Sequence, residues 1–211
     1  MNDFRHSVLL FDLGGVLVEF DGIEPLIAAT NGRLDREGAR HFWLESPWVR
    51  RFEIGACPPE TFASGVVAEL NLSISPDSFL REFLLWEKGP YPGALDLLDL
   101  LRPHFTLACL SNNNGLHWNY LRNQLGFGNP FHRTYLSQEL GLMKPDRAVF
   151  QAVLEDLRVP GSRILFLDDN PECVEGAVRS GIDGRRVNGI EEVRTLLSAL
   201  YPSVISPGGD P

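Results

Sequence analysis

Six polar residues of this chain stand directly after apolar runs or directly before a predicted helix start. They are three carboxylates, a hydroxyl, an amide and an ammonium: Asp12, Ser111, Asn112, Lys144, Asp168 and Asp169. Clustered carboxylates repel one another unless a cation lies between them, and hard oxygen ligands favour Mg²⁺. A bound Mg²⁺ keeps coordination positions open for phosphate oxygens, while the ammonium and hydroxyl groups can donate to the same oxygens. One carboxylate can then attack phosphorus and form an aspartyl phosphate, so the set predicts phosphoryl chemistry.

These residues come from distant parts of the sequence, so a sheet must bring them together. Short apolar runs predict five strands, at residues 8–11, 106–110, 134–136, 164–167 and 185–187. Helical patterns separate the runs, at residues 94–101, 146–157 and 171–179. This alternation predicts an α/β fold, with a Rossmann-like doubly wound parallel sheet. Ligands of such sheets bind at the carboxyl ends of the strands, where the polar residues stand.

A long insertion separates the first predicted strand from the second. It has about ninety residues, far more than one crossover connection needs. Pro25 and Pro47 suit the first turns of helices, Phe62 and Val66 share a helical face, and no run reads as a convincing strand. The stretch predicts an all-helical cap inserted after strand one. We predict a core of residues 1–19 and 90–202, a cap of residues 20–89 and a flexible tail of residues 203–211. The hinges between cap and core are predicted near residues 18–21 and 89–93.

Charge and apolar content exclude several classes of protein. The 211 residues include 19 Lys and Arg against 28 Asp and Glu, and a net charge of −9 repels nucleic acid over most of the surface. No stretch approaches the ~20 apolar residues of a membrane span. The 3 cysteines lack metal-ligand spacing and predict reduced thiols. We therefore expect a cytoplasmic protein without a nucleic-acid or membrane partner, and no feature of the sequence predicts its oligomeric state.

Four segments carry a resemblance to a known family. The segments LLFDLGGVLVEFD, ACLSNNNGLHW, YLSQELGLMKPDRAVFQ and ILFLDDNPECVEGAVRSGI resemble, in order and spacing, the four motifs of the haloacid dehalogenase-like hydrolase superfamily. The predicted cap stands where that superfamily carries its small helical cap. Within the superfamily, the chain is most similar to the α-glucose-1-phosphate phosphatases and the phosphatase domain of soluble epoxide hydrolase. The resemblance implies a Mg²⁺-dependent phosphomonoester hydrolase for a small phosphorylated metabolite, such as a sugar phosphate.

The resemblance also implies a role for each charged residue of the motifs. Asp12 would be the nucleophile and a metal ligand, and Asp169 would be the second carboxylate ligand. Asp168 would support the metal through water or orient Lys144, which would stabilise the transferred phosphoryl group. The main-chain carbonyl of Gly14 would be a further metal ligand.

The residues after the second predicted strand are candidates for substrate binding. By the same resemblance, Ser111 and the backbone of Asn112 would hold the phosphoryl group. The loop and helix start that follow would shape the pocket for the leaving group, through Asn113, His117 and Trp118. Each of these three has a competing structural explanation, because asparagine serves turn geometry and large aromatic side chains usually pack in a core.

The chain departs from the family pattern at two positions. The family usually carries an aspartate two residues after the nucleophile as general acid and base, and this chain has Gly14 there. Glycine keeps the carbonyl that ligates Mg²⁺ but cannot protonate a leaving group, so we expect an anomeric sugar 1-phosphate to be hydrolysed faster than the 6-phosphate. The second departure is Cys173, where related sequences often carry Asn or Asp, and a thiol is a weak donor to the metal carboxylates.

Two other functions remain open from the sequence alone. A dehalogenase has the same fold and an aspartate nucleophile, but it needs no metal and has no use for the Asp168–Asp169 pair. A phosphate-binding protein without turnover would keep the carboxylates and Lys144, and the glycine at position 14 favours it. Sensitivity to a chelator separates the first alternative from a phosphatase, and ligand binding without turnover identifies the second.

Overall fold

A five-stranded parallel sheet and a separate two-stranded antiparallel pair are formed in the computed structural model, which describes residues 4–205. In chain order the strands are β1 (Val8–Phe11), β2 (Val18–Phe20), β3 (Glu87–Pro90), β4 (Thr106–Ser111), β5 (Arg133–Leu136), β6 (Ile164–Asp168) and β7 (Asp183–Arg186). The order across the main sheet is β5–β4–β1–β6–β7, and all neighbouring strands are parallel. The predicted doubly wound parallel sheet is confirmed.

Helices connect the strands and cover the sheet. In chain order the α-helices of the described part are α1 (Ile23–Ala29), α2 (Arg36–Glu45), α3 (Pro47–Glu53), α4 (Pro59–Glu69), α5 (Pro76–Leu84), α6 (Ala94–Leu101), α7 (Gly115–Asn123), α8 (Ser137–Leu140), α9 (Arg147–Leu157), α10 (Pro171–Arg179), α11 (Gly189–Leu200) and α12 (Pro202–Ile205). Proline stands in the first turn of α3, α4, α5 and α10, where its missing N–H would have no helical partner. Across residues 4–205, no helix has the length and apolar content to cross a membrane.

The central strand β1 is apolar because both faces of the sheet are covered. Leu9 and Phe11 pack into one hydrophobic cluster, with residues of α6 and α11. Val8 and Leu10 pack into a second cluster on the other face, with residues of α9 and α10. Successive side chains of a strand point to opposite faces, so a strand between two helical layers needs an unbroken apolar run.

The strand register places the polar residues at one edge of the sheet. Phe11 of β1 is aligned with Cys109 of β4 and with Leu167 of β6. Asp12 directly follows β1 and Asp168 is the last residue of β6, so both side chains lie at the same carboxyl edge of the sheet. The register of the sheet therefore brings these two carboxylates together.

Helices α1–α5 form a cap with a hydrophobic core of its own. This core is rich in aromatic residues, and Phe62, Phe79, Phe83 and Trp86 are buried in it. The rings of Phe62 and Phe52 stack with centroids 4.3 Å apart. Ring pairs of this kind add to the stability that burial of apolar area provides, by about 0.5–1.5 kcal/mol per pair. The insertion after strand one is thus helical, as its proline positions and apolar stripes indicate.

Two short strands join the cap to the sheet, and the sequence did not predict them. Strands β2 and β3 pair antiparallel, with Phe20 opposite Glu87 and a register shift between Glu19 and Phe20. We call this pair the flap. The insertion is predicted from the sequence to contain helices and no strand. That prediction is wrong at the two ends of the insertion, which form β2 and β3. Strands of 3 and 4 residues that include glycine, proline and exposed charges have no apolar run to reveal them.

The structure also differs from the sequence-based prediction toward the C-terminus. The last strand, β7, spans Asp183–Arg186 instead of residues 185–187, because this edge strand is polar and half exposed and its sequence has no apolar run. In the predicted tail, residues 203–205 belong to α12, and Val204 is buried against the core. The remaining residues of the predicted tail, 206–211, lie outside the described residues.

Candidate active site

Three carboxylates meet at the carboxyl edge of the sheet. Asp12, Asp168 and Asp169 each have a side-chain oxygen within 4.8 Å of the others. All three line a cavity of about 540 Å³ that also touches the cap through Trp43, Val49 and other residues. The site thus combines a rigid sheet edge with a wall that belongs to the cap.

A buried ammonium group neutralises part of this charge. Lys144 is only 3% exposed, and its Nζ lies 2.9 Å from Asp12 Oδ1 and 2.6 Å from Asp168 Oδ2. Burial lowers the pKa of Lys144, but the two carboxylates outweigh burial and raise it above its usual value. Lys144 therefore stays charged inside the protein, where its removal would leave two buried carboxylates without a partner.

The two carboxylates that contact Lys144 differ in their remaining oxygens. Asp168 is 0% exposed, and its second oxygen, Oδ1, accepts the main-chain N–H of Asn170 at 2.8 Å. Asp12 Oδ1 accepts the N–H of Leu13 at 2.7 Å as well as the lysine, so Asp12 Oδ2 has no donor among residues 4–205. Asp168 is thus placed to orient Lys144, and Asp12 keeps one oxygen free.

The donor set fits a divalent cation. Three carboxylates against one ammonium leave two negative charges uncompensated. Burial, and then the charge of Asp168, raises the pKa of Asp169, and the nearby positive charges of Lys144 and Arg186 offset this only in part. Gly15 allows the backbone to approach this group, since a Cβ at Gly15 would lie 2.6 Å from Asp169 Oδ2 and the residue has φ +73°. Hard oxygen donors in this number suit Mg²⁺.

Ser111 and Asn112 lie beside the carboxylates and line the same cavity. The Ser111 hydroxyl is buried at the end of β4 and has no hydrogen-bond partner among the described residues. The Asn112 side chain is already engaged: its Nδ2 donates to the carbonyl of Lys144 at 2.9 Å and its Oδ1 accepts the N–H of Lys144 at 2.8 Å. Asn112 thus holds the main chain of Lys144 in place, and its backbone is what remains for a ligand.

The predicted pocket residues divide between the cavity and the core. Asn113 lines the cavity, and its main-chain N–H donates to Ser137 Oγ at 3.0 Å. Its side-chain Oδ1 accepts the N–H of Asn114, which in turn caps α7. Trp118 does not line the cavity, because it points away from it into the hydrophobic cluster beside Leu121 and Phe127. The position of Trp118 therefore fits the alternative explanation, that this side chain packs in the core.

His117 lines the cavity and also ties the core to the cap. Its Nε2 lies 2.7 Å from the carbonyl of Phe83 in α5, which can only accept, so this nitrogen carries the proton. Its Nδ1 then accepts from Asn114 Nδ2 at 3.3 Å. Burial lowers the pKa of His117 to about 4, and the ring is neutral at physiological pH. Both nitrogens are used within the protein.

Two further buried carboxyl groups line the cavity, and sequence reasoning missed both. Glu53, at the end of α3, bonds to the side chain of Trp43, and burial raises its pKa to about 7. Glu87 belongs to the flap, and burial raises its pKa to about 8. Neither residue belongs to a recognisable motif, and only the folding of the cap over the sheet brings them to the cavity. The glycine at position 14 was the one sequence signal that another acid is needed.

Comparison with known proteins agrees with this geometry. The family model of the haloacid dehalogenase-like hydrolases matches residues 6–181. The chain belongs to this family. Phosphatase MT3486 of Mycobacterium tuberculosis is 29% identical to this hydrolase over 184 residues, which cover 83% of this chain and 84% of the phosphatase.

Solved structures give the same assignment for the hydrolase. The HAD family enzyme bt-2542 of Bacteroides thetaiotaomicron is 25% identical, with a TM-score of 0.76, and the match covers 91% of this chain and 98% of that one. A second structure of that enzyme, in complex with magnesium and inorganic phosphate, is 27% identical with a TM-score of 0.70 over 86% and 93% of the two chains. The fold and the hydrolase class therefore extend over nearly the whole described chain.

Proposed function

We propose that this hydrolase is a Mg²⁺-dependent phosphomonoesterase that acts through an aspartyl phosphate on Asp12. The observation that carries the proposal is the contact of one buried lysine with two of three clustered carboxylates at the closed end of a cavity. The relatives support it, since one is named a phosphatase and another was solved with magnesium and phosphate.

In this mechanism the residues of the chain have separate tasks. Asp12 Oδ2, the oxygen without a protein donor, attacks phosphorus while Lys144 and the N–H of Leu13 hold Oδ1 in place. The Ser111 hydroxyl and the backbone of Asn112 donate to the phosphoryl oxygens. Asp168 keeps the lysine ammonium oriented toward the same group. These contacts fix the in-line geometry before the reaction begins.

Asp12, Asp169 and the carbonyl of Gly14 would hold the Mg²⁺ ion, with Asp168 in support. When bound, the ion supplies positive charge that stabilises the charge of the phosphoryl group in the transition state. Asp169 is the least committed of the three carboxylates, since Asp12 and Asp168 both contact Lys144.

The cavity favours a small substrate. A volume of about 540 Å³ falls within the usual range for small-molecule sites. Aromatic rings of Phe20 and Trp43 and the amide of Asn113 are among its walls, which suits a compact leaving group with both apolar faces and hydroxyl groups. The substrate we propose is a small phosphorylated metabolite such as a sugar phosphate.

The proposal is tested with a panel of phosphorylated metabolites and p-nitrophenyl phosphate, by measuring release of inorganic phosphate. We expect release with Mg²⁺, loss of release with EDTA, and recovery when excess Mg²⁺ is added. Release that is unaffected by the chelator would overturn the metal dependence, and 2-haloacids then become the compounds to test.

A second candidate function is phosphate binding without turnover, and the glycine at position 14 favours it. For this candidate, calorimetry would detect binding of inorganic phosphate and Mg²⁺, while no phosphomonoester in the panel would be hydrolysed. The two proposals therefore differ in a single measurable quantity, the turnover number.

A further inference from the structure

The space beside Gly14 leads to the flap. A Cβ added at Gly14 would meet Phe20 Cβ at 3.6 Å, an ordinary van der Waals contact. Phe20 of β2 is the partner of Glu87 in β3. The direction in which an aspartate at position 14 would extend is therefore the direction in which the flap presents Phe20 and Glu87.

Glu87 has the placement of a group held ready for a ligand. It lines the cavity together with Asp12 and Phe20, yet only 6% of its surface is exposed. No hydrogen bond or salt bridge joins its carboxyl group to any residue between 4 and 205. Because Glu87 lines the cavity and has no partner in the protein, its carboxyl group is available to a substrate bound there.

The other acidic groups deep in the cavity have contacts or roles of their own, and Asp169 is the proposed metal ligand. Asp12 and Asp168 contact Lys144, and Glu53 bonds to Trp43. Glu53 is also fixed through its main chain, because its carbonyl accepts the Ser137 hydroxyl at 2.6 Å. Glu87 is thus the buried carboxyl group of this cavity with both oxygens unengaged.

We propose that Glu87 is the general acid and base of this hydrolase, and that the flap supplies from β3 the carboxyl group that position 14 lacks. This proposal rests on the phosphatase function proposed above. It makes Glu87 a catalytic residue that touches the leaving-group oxygen.

The two half-reactions balance with this assignment. In the first, Asp12 Oδ2 forms a bond to phosphorus, the bond from phosphorus to the ester oxygen breaks, and the Glu87 proton moves to that oxygen to release a neutral alcohol. In the second, the Glu87 carboxylate takes a proton from water as the water oxygen bonds to phosphorus. The bond between Asp12 and phosphorus then breaks, which releases inorganic phosphate and leaves Glu87 protonated for the next cycle.

The environment of Glu87 supports its protonated state at the start of the cycle. Burial, and then the negative charge of Asp12, raises the pKa of Glu87 to about 8. A general acid is most effective when its pKa lies near the working pH, because it is then both protonated and able to transfer the proton.

The test compares two substrates whose leaving groups differ in their need for a proton. Glucose 6-phosphate releases a basic primary alkoxide, whereas p-nitrophenyl phosphate releases a phenolate that departs without protonation. We expect Glu87→Gln to lower kcat/KM, which reports the steps up to release of the leaving group, by about 10²-fold or more for glucose 6-phosphate and by less than about 10-fold for p-nitrophenyl phosphate. Hydrolysis of the aspartyl phosphate is common to both substrates, so kcat falls for both. Retained p-nitrophenyl phosphate activity also shows that the variant is folded.

Glu53→Gln is the matched control, since it removes a second buried carboxyl group from the same cavity. We expect Glu53→Gln to change kcat/KM for glucose 6-phosphate and for p-nitrophenyl phosphate by the same factor. An equal loss of kcat/KM on both substrates in Glu87→Gln, or a selective loss of kcat/KM for glucose 6-phosphate in Glu53→Gln, overturns the proposal. So does a wild-type protein that hydrolyses p-nitrophenyl phosphate alone, because no group then protonates the poorer leaving group.

Two further measurements keep the proposal separate from the proposed function. Gly14→Asp in the Glu87→Gln background should recover glucose 6-phosphate activity, since a Cβ at Gly14 would make only an ordinary contact with Phe20. Glycine at position 14 alone predicts a preference for leaving groups of low pKa, such as that of a sugar 1-phosphate. With Glu87 as the acid, the wild-type kcat/KM across a series of aryl and alkyl phosphates should instead depend only weakly on the pKa of the leaving group, and a steep dependence contradicts the role of Glu87. A wild-type protein that hydrolyses no phosphomonoester overturns the proposed function itself.

Discussion

Gly14 and Gly15 are adjacent in the chain, and the structure places different constraints on them. Gly15 has φ +73°, a conformation that L residues rarely adopt, and its backbone faces the Asp169 carboxylate. Gly14 has ordinary backbone geometry, and a Cβ there would make only an ordinary van der Waals contact with Phe20. Gly15 is therefore needed for the proposed metal site. Gly14 is needed only if the absence of a side chain there matters to the reaction.

Gly15→Ala should weaken the dependence of activity on Mg²⁺, because the new methyl group displaces Asp169. We expect the Mg²⁺ concentration for half-maximal p-nitrophenyl phosphate hydrolysis to rise about 10–100-fold, as for other disturbed supports of a metal ligand. Gly14→Ala is the matched control, and its half-maximal concentration should stay within about 3-fold of wild type. Equal shifts in both variants would show that Asp169 is not the sensitive group.

Asp12→Asn should abolish turnover and keep the fold, since the substitution is nearly isosteric and removes the attacking oxyanion. We expect kcat to fall by at least about 10³-fold, with a Tm within a few degrees of wild type. The exposed Asp99 in α6 provides the control, and Asp99→Asn should leave kcat unchanged. Near wild-type turnover in Asp12→Asn would rule out the covalent mechanism.

At the scale of helices and strands, the sequence predicts those elements that have a clear local pattern of apolar residues. Strands β1, β4 and β6 are covered by helices on both faces, so their apolar runs are unmistakable, and the residues that end them are the polar groups of the site. The flap and Glu87 could not be predicted in this way. A carboxyl group in a short, glycine-containing strand has no local signature, and its burial results from the cap folding back over the sheet edge.

The contact between α7 and α5 should make stability depend on pH. His117 has a pKa of about 4 in the folded protein against 6.5 in the unfolded chain. Between these values the unfolded state binds more protons, so stability falls as the pH is lowered from 6.5 toward 4, by about 3 kcal/mol in all. The loss comes from placing a positive charge on a buried ring.

Urea unfolding at several pH values measures this effect. The difference in unfolding free energy between wild type and His117→Gln should narrow as the pH falls, since the variant lacks the titrating ring. His41→Gln, at an exposed histidine of α2, is the control and should follow the wild-type curve. A constant difference between wild type and His117→Gln would contradict the assignment.

For the whole molecule, the decisive feature is that cap and core have separate hydrophobic clusters, joined by polar contacts and by the packing of Leu116 and His117 of α7 against the cap. Arg50 of the cap lies 2.8 Å from Asp146 of the core, in an exposed ion pair that contributes about 0.2–1 kcal/mol. The Ser137–Glu53 and His117–Phe83 hydrogen bonds cross the same boundary. Because each part keeps its own hydrophobic cluster, we expect the cap to move as a unit about the flap.

Cap movement should accompany substrate binding, because a cavity closed around the reaction excludes water. We expect small-angle scattering of the protein with Mg²⁺ and orthovanadate to give a smaller radius of gyration than the protein alone. The control is Asp169→Asn with the same additions, which should show a smaller change. Identical scattering of wild type with and without the analogue would contradict a moving cap.

The aromatic cluster of the cap has an optical consequence. Of the 4 tryptophans, Trp43, Trp48 and Trp86 belong to the cap region and Trp118 to the core. Intrinsic fluorescence of this hydrolase therefore reports mainly on the cap, and Trp43 lines the cavity while bonding to Glu53. Emission can thus follow ligand entry and cap opening in real time without an attached dye, while circular dichroism follows the helices of both parts.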